Sequence, residues 1–195
     1  MRLHKGPGTL SSTLAPRCWR QSTRLVLLGQ LLLFLGGIFT WGGLPAWADW
    51  VWKLELLAWD PSRGFWLVFL SRLCFSVAML LSSVSLAGAA LLPGVLLCRG
   101  AALCGTAAHI ASAASEHAFF LSLFLAGLPA LVTLPPLLIQ WAEGMCFSRG
   151  LLRPGAAGPV GGWAGVAAAF SLACVAALVC VLLERTAIPV LVSLV

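Results

Sequence analysis

The chain contains no tyrosine and no asparagine, and only 9% of its 195 residues are charged. A soluble domain carries about 25% charged residues, so this scarcity leaves little room for a separate water-soluble domain. Acids are scarcer still, six against twelve basic residues, and none precedes Asp49. The net charge of +6 is not a nucleic-acid signal. Arg2, Lys5, Arg17, Arg20 and Arg24 all lie beside an apolar run, where basic residues hold a segment on the cytoplasmic side of a membrane. Catalytic motifs are missing as well: there is no HExxH, no GxSxG and no phosphate-binding glycine loop. The seven cysteines, Cys18, Cys74, Cys98, Cys104, Cys146, Cys174 and Cys180, are odd in number and include no CxxC pair. They predict neither a disulfide framework nor a zinc site and read as small hydrophobes. His109, Glu116 and His117, with Cys104 nearby, form the only titratable cluster, and a polar turn at a membrane surface explains them better than a metal site. These residues predict no enzyme, no metal and no cofactor.

What is present is apolar. Hydrophobic residues make up 61% of the chain, with mean hydropathy +1.00. The expected fold class is an all-α polytopic membrane helix bundle of about five transmembrane helices, one or two of them broken by Pro or Gly. Residues 1–24 read as a basic cytoplasmic tail, and residues 25–195 as a single transmembrane domain. Leu25–Leu44 is the first candidate span, since twenty residues rise about 30 Å, the thickness of the hydrocarbon core. The basic region, the apolar run and Ala46-Trp47-Ala48 also resemble a cleavable signal peptide. The long basic region favours an uncleaved helix.

Six of the nine tryptophans fall between Trp41 and Trp66. Residues 45–66 form a Trp-rich outer loop in which Asp49–Asp60 could lie as a short helix on the bilayer. Trp50, Trp52 and Trp59 are either an aromatic belt or a docking surface for an extracellular partner. Phe65–Leu92 is the second span, with Arg72 near its start, where its side chain can snorkel to the headgroups. Pro93-Gly94 is expected to break the chain. Val95–Ala113 is a weaker third segment, either a full span or a short re-entrant helix. Phe119–Arg153 is long and apolar but interrupted by Gly127-Leu128-Pro129 and Pro135-Pro136, which a membrane helix tolerates when neighbours re-satisfy the freed backbone groups. Residues 150–162 form a flexible loop.

Trp163–Leu183 is the last span. Gly161, Gly165, Ala169, Ala173 and Ala177 recur every four residues, a row of small side chains that lets another helix backbone approach. Glu143 and Glu184 stand near span ends. Intramembrane acids are functional suspects, although at an interface they are often solvated, and Glu184 could pair with a basic residue of a neighbouring helix. With the N-terminus inside, five spans put the Trp-rich loop and Glu116 outside and Arg99, Arg149 and Arg153 at the inner face.

The order of several short motifs carries a resemblance. Gly88-Ala89-Ala90-Leu91-Leu92-Pro93-Gly94-Val95-Leu96-Leu97-Cys98-Arg99-Gly100 is followed by Leu125-Ala126-Gly127-Leu128-Pro129. Leu134-Pro135-Pro136-Leu137-Leu138 and Met145-Cys146-Phe147-Ser148 come next, and the chain closes on Leu182-Leu183-Glu184-Arg185-Thr186-Ala187-Ile188-Pro189. Over nearly its whole length the chain resembles the stage II sporulation protein M family of endospore-forming bacteria. It departs at Arg99-Gly100, where Lys-Gly and a closely spaced second glycine are more usual, and in lacking the asparagines common in such chains. The resemblance implies a polytopic scaffold in the cell membrane at the sporulation septum. It would anchor the peptidoglycan-degrading stage II sporulation proteins D and P during engulfment, without itself being a hydrolase. It implies protein partners and the membrane, with no nucleic acid and no small-molecule substrate. The alternative is a small transporter or permease subunit that uses the broken helix as a path. The two differ in how many polar groups the bundle buries. Between Gly100 and Ala142 the only charged residue is Glu116, which favours the scaffold.

Overall fold

The structure, a computed structural model, describes residues 11–41, 64–85, 87–113, 118–152 and 162–193. Long apolar runs with few backbone alternatives in lipid must satisfy their own amides, and the chain does so by helix. The elements in order are α1 (Ser11–Trp41), α2 (Phe65–Val84), α3 (Gly88–Ala113), the short α4 (Ala118–Ser122), a π-helical turn (Leu123–Gly127), α5 (Leu128–Leu152) and α6 (Trp163–Ser193). Four stretches are long and apolar enough to cross a membrane: Phe65–Val84, Gly88–Ser112, Phe119–Leu151 and Trp163–Thr186. In α1 the apolar part, Thr23–Ile38, is shorter. The chain is an all-α polytopic bundle.

Several boundaries differ from expectation. Helix α2 ends at Val84 rather than Leu92, because Ser85 turns extended and its amide reaches back to the Ser82 carbonyl at 3.2 Å. The Ser85 hydroxyl accepts from the Ala87 amide at 3.2 Å, and the next helix starts there. Pro93-Gly94 therefore does not break the chain; Pro93 sits in the second turn of α3 and the helix continues through it, a lost backbone bond that a membrane helix tolerates. The weak third segment is a 26-residue helix, long enough to span. Pro135 and Pro136 lie inside α5 without ending it. The break before Pro129 is a π turn at Leu123–Gly127. Helix α6 continues through Glu184-Arg185 and Pro189 rather than stopping at Leu183. Helix α1 begins at Ser11, within the segment expected to be a tail.

Packing follows small residues. A Cβ on Gly36 would lie 2.2 Å from the Leu97 carbonyl oxygen, and one on Gly100 would lie 2.0 Å from the Leu33 carbonyl oxygen. Each glycine thus faces the residue three before the other, so α1 and α3 cross backbone to backbone. The crossing lies over a core in which Met79, Leu92, Leu96 and Trp141 are fully buried. Helix α2 lies against α3, α5 and α6, and α5 pairs with α6. Two pairs of contacts set each direction: Ser76 with Gln140 and Ser83 with Gly144 run α2 parallel to α5, Glu143 with Gly165 and Phe147 with Trp163 run α5 antiparallel to α6, and α2 is therefore antiparallel to α6. Polarity is inverted relative to a soluble protein. Leu131, Phe119 and Trp66 are 75%, 72% and 70% exposed, whereas Arg72, Arg99 and Gln140 are 6%, 3% and 0% exposed. Such a surface belongs in lipid.

Candidate functional site

Helix α2 buries one stripe: Val68, Arg72, Phe75, Ser76, Met79 and Ser83. The spacing of three and four places them on one face, and Arg72 is on it. Its side chain does not snorkel to the headgroups. It donates from Nη2 to Glu184 Oε1 of α6 in an ion pair whose partners are both almost wholly buried. The expected position near the helix start holds, but the buried stripe turns the guanidinium inward, where α6 brings a carboxylate. The Cys180 thiol, one turn before Glu184, also donates to Oε1 at 3.6 Å.

Arg99 joins this cluster from α3. It was expected at the inner face; instead the extension of α3 back to Gly88 puts it near the middle of that helix, buried. Its guanidinium lies 4.9 Å from the centre of the Phe75 ring, a cation–π contact strengthened by desolvation. Nη2 donates to Thr133 Oγ1 at 3.3 Å, and that hydroxyl donates to the Pro129 carbonyl at 2.9 Å. Arg72, Arg99 and Glu184 therefore bring charge from three helices into the bundle. Counting charges between Gly100 and Ala142 missed them because all three residues lie outside that interval. The α2 stripe was the signal available in the sequence.

Below the charges the seam stays polar. Gln140 of α5 is fully buried and donates from Nε2 to the Ser76 carbonyl at 2.8 Å. Ser83 donates to the Met79 carbonyl at 2.7 Å, and its hydroxyl occupies the space beside Gly144, 2.2 Å from where a Cβ would stand. Ser148 packs against Gly88 of α3. Gln140, Gly144 and Ser148 repeat every four residues along α5, facing the polar part of the α2 stripe. Ser71, Thr106 and Thr186 return their hydroxyls to their own helices' carbonyls, which costs no partner elsewhere.

The remaining candidates are spread out. Ala169, Ala173 and Ala177 are buried along α6. Gly165 is half-buried, and a Cβ there would lie 2.7 Å from Glu143 Oε2. Glu143, half-buried on α5, is thus beside the small-residue row of α6 and remote from Glu184 along that helix. Pro189 falls within α6. Gly161, Trp50, Trp52, Trp59, Glu116 and His117 lie outside the described residues. Among the described residues no three metal-ligating side chains gather. Comparison with protein-family models, with characterised proteins and with solved structures finds no match.

Proposed function

We propose that the chain is a membrane scaffold of the sporulation engulfment complex, anchoring peptidoglycan-degrading partners similar to stage II sporulation proteins D and P at the septum. The observation that carries the reading is the ordered set of motifs from Gly88 to Pro189, whose closing Glu184 is the residue α6 uses to hold Arg72 of α2. In a scaffold, intramembrane charge serves to fix helices to one another, and that is the use made of Glu184 here. The Gln140 amide on the Ser76 carbonyl is a second tie of the same kind. Ties of this sort favour one arrangement of helices and so a fixed platform for outer segments. The chain acts on this reading as the anchor and its partners as the hydrolases.

A second reading has a specific observation in its favour. Three charged side chains share the interior of the bundle, and transporters for polar solutes place such groups near broken helices. The π turn before Pro129, next to the Thr133 contact of Arg99, is a broken helix of that kind. Deletion of the gene in its own host, followed by membrane-dye imaging of sporulating cells, separates the two. The scaffold predicts septa that stay flat or bulge without engulfment, and loss of septal recruitment of the two partners. Normal engulfment in the deletion strain, with no second copy of the gene, would refute it and leave the transporter.

A further inference from the structure

The polar seam between α2, α5 and α6 contains polar atoms for which no described residue supplies a partner. Glu184 Oε2, Gln140 Oε1 and Ser148 Oγ are all buried and have no hydrogen-bond partner among the described residues. Gln140 and Ser148 are completely inaccessible from outside the bundle. The three lie along the line set by Arg72, Ser76 and Ser83 on α2, a rise of about 16 Å for its eleven residues. In a bilayer no bulk water reaches such groups, and each one left unpaired is costly.

The chemistry of the seam selects its occupant. Glu184 Oε2 and Gln140 Oε1 can only accept, so an acyl chain, which donates nothing, leaves them unsatisfied. A metal cation or ammonium would face the guanidinium of Arg72. An anion would meet the lone pairs of the two acceptors. Water donates to both carbonyl-type oxygens, can also accept from the Ser148 hydroxyl, and fits the two to four partners a buried water requires. We infer that this seam is a binding site for ordered water, so that the interior of the bundle is hydrated along the α2 stripe from Glu184 to Ser148. The inference is independent of whether the chain is a scaffold or a transporter.

Gln140 is the reporter. The chain has three glutamines, Gln21, Gln30 and Gln140, so side-chain 15N-glutamine labelling of the full protein in micelles gives three amide pairs. The variants Gln21→Ala and Gln30→Ala remove two of them and so assign the third to Gln140; Gln30 is exposed. A hydrated seam predicts a cross-peak from the Gln140 amide hydrogens to water. It also predicts their exchange into D2O on the order of a hundred times faster than the backbone amides of Met79 and Leu96. Gln140 hydrogens that exchange as slowly as those core amides and show no water cross-peak, in protein whose indole signals remain dispersed, would overturn the inference.

Discussion

Replacing Glu184 with leucine removes one half of a buried ion pair and leaves the other half in place. Both side chains are almost wholly buried, 2% and 6% exposed, so Arg72 cannot recover its hydration without moving α2 away from α6. Removing one partner of such a pair costs about 3–5 kcal/mol, whereas replacing both by apolar side chains of similar volume is near neutral or stabilising. The expected pattern is therefore strongly non-additive. Glu184→Leu and Arg72→Met should each lower the folded-to-unfolded ratio by a factor of about 10²–10⁴, and the double variant should return to within about 1 kcal/mol of the starting protein. Glu184→Leu also removes the acceptor of the Cys180 thiol, a weak donor whose loss adds little. Reversible unfolding in mixed micelles, followed by helical circular dichroism and treated as a double-mutant cycle, measures all three. Single variants costing less than about 1 kcal/mol, or a double variant equal to the sum of the singles, would refute the claim that this pair holds α2 to α6.

Three further outcomes follow from the packing. Gly100→Ala should destabilise by about 1–3 kcal/mol or more, since its Cβ would collide with the Leu33 carbonyl. By contrast, Gly94→Ala, with open space around the new methyl group, should be neutral or stabilise by about 0.5–1 kcal/mol; the same unfolding assay compares them. Arg99→Lys should behave as a disruptive substitution, because an ammonium cannot keep both the ring contact with Phe75 and the reach to Thr133; a loss of about 1–3 kcal/mol is expected, and a silent variant would count against the contact. Gly165→Leu combined with Ala169→Leu should part α6 from α5, where Glu143 closes on Gly165, and shift or broaden the detergent-solubilised species on size exclusion. An unchanged elution profile would remove that packing claim.

The membrane class and the helices themselves were legible from apolar run length, because lipid leaves a backbone few other solutions. The row ending in Ala177 was legible too, since four-residue spacing shows in one dimension. Pro93 misled because proline is a strong breaker in water but is tolerated inside a membrane helix, and the actual boundary came from the turn at Ser85. That error displaced Arg99. With α2 ending at Val84 and α3 starting at Gly88, Arg99 moves to mid-helix, and the stripe from Val68 to Ser83 turns Arg72 inward. The partnership of Arg72 with Glu184 joins residues 112 positions apart and depends on α2 and α6 running in opposite directions, which no local pattern encodes. Only the crossing of their helices shows what Gly36 and Gly100 are for.

The α1–α3 crossing also sets what lengths of chain this protein can tolerate. Gly29 of α1 faces Leu138 and Trp141 of α5, and Gly36, two turns later, faces the Leu97 carbonyl of α3. Both engagements hold together because seven residues bring a helix back to nearly the same azimuth, within about 20°. Inserting one residue between them would swing Gly36 through about 100° and put Leu35 in its place against the Leu97 carbonyl. The first helix is thus keyed to the bundle like a two-pin plug. Its interior can drift in sequence among apolar residues, but its pin spacing cannot grow by one.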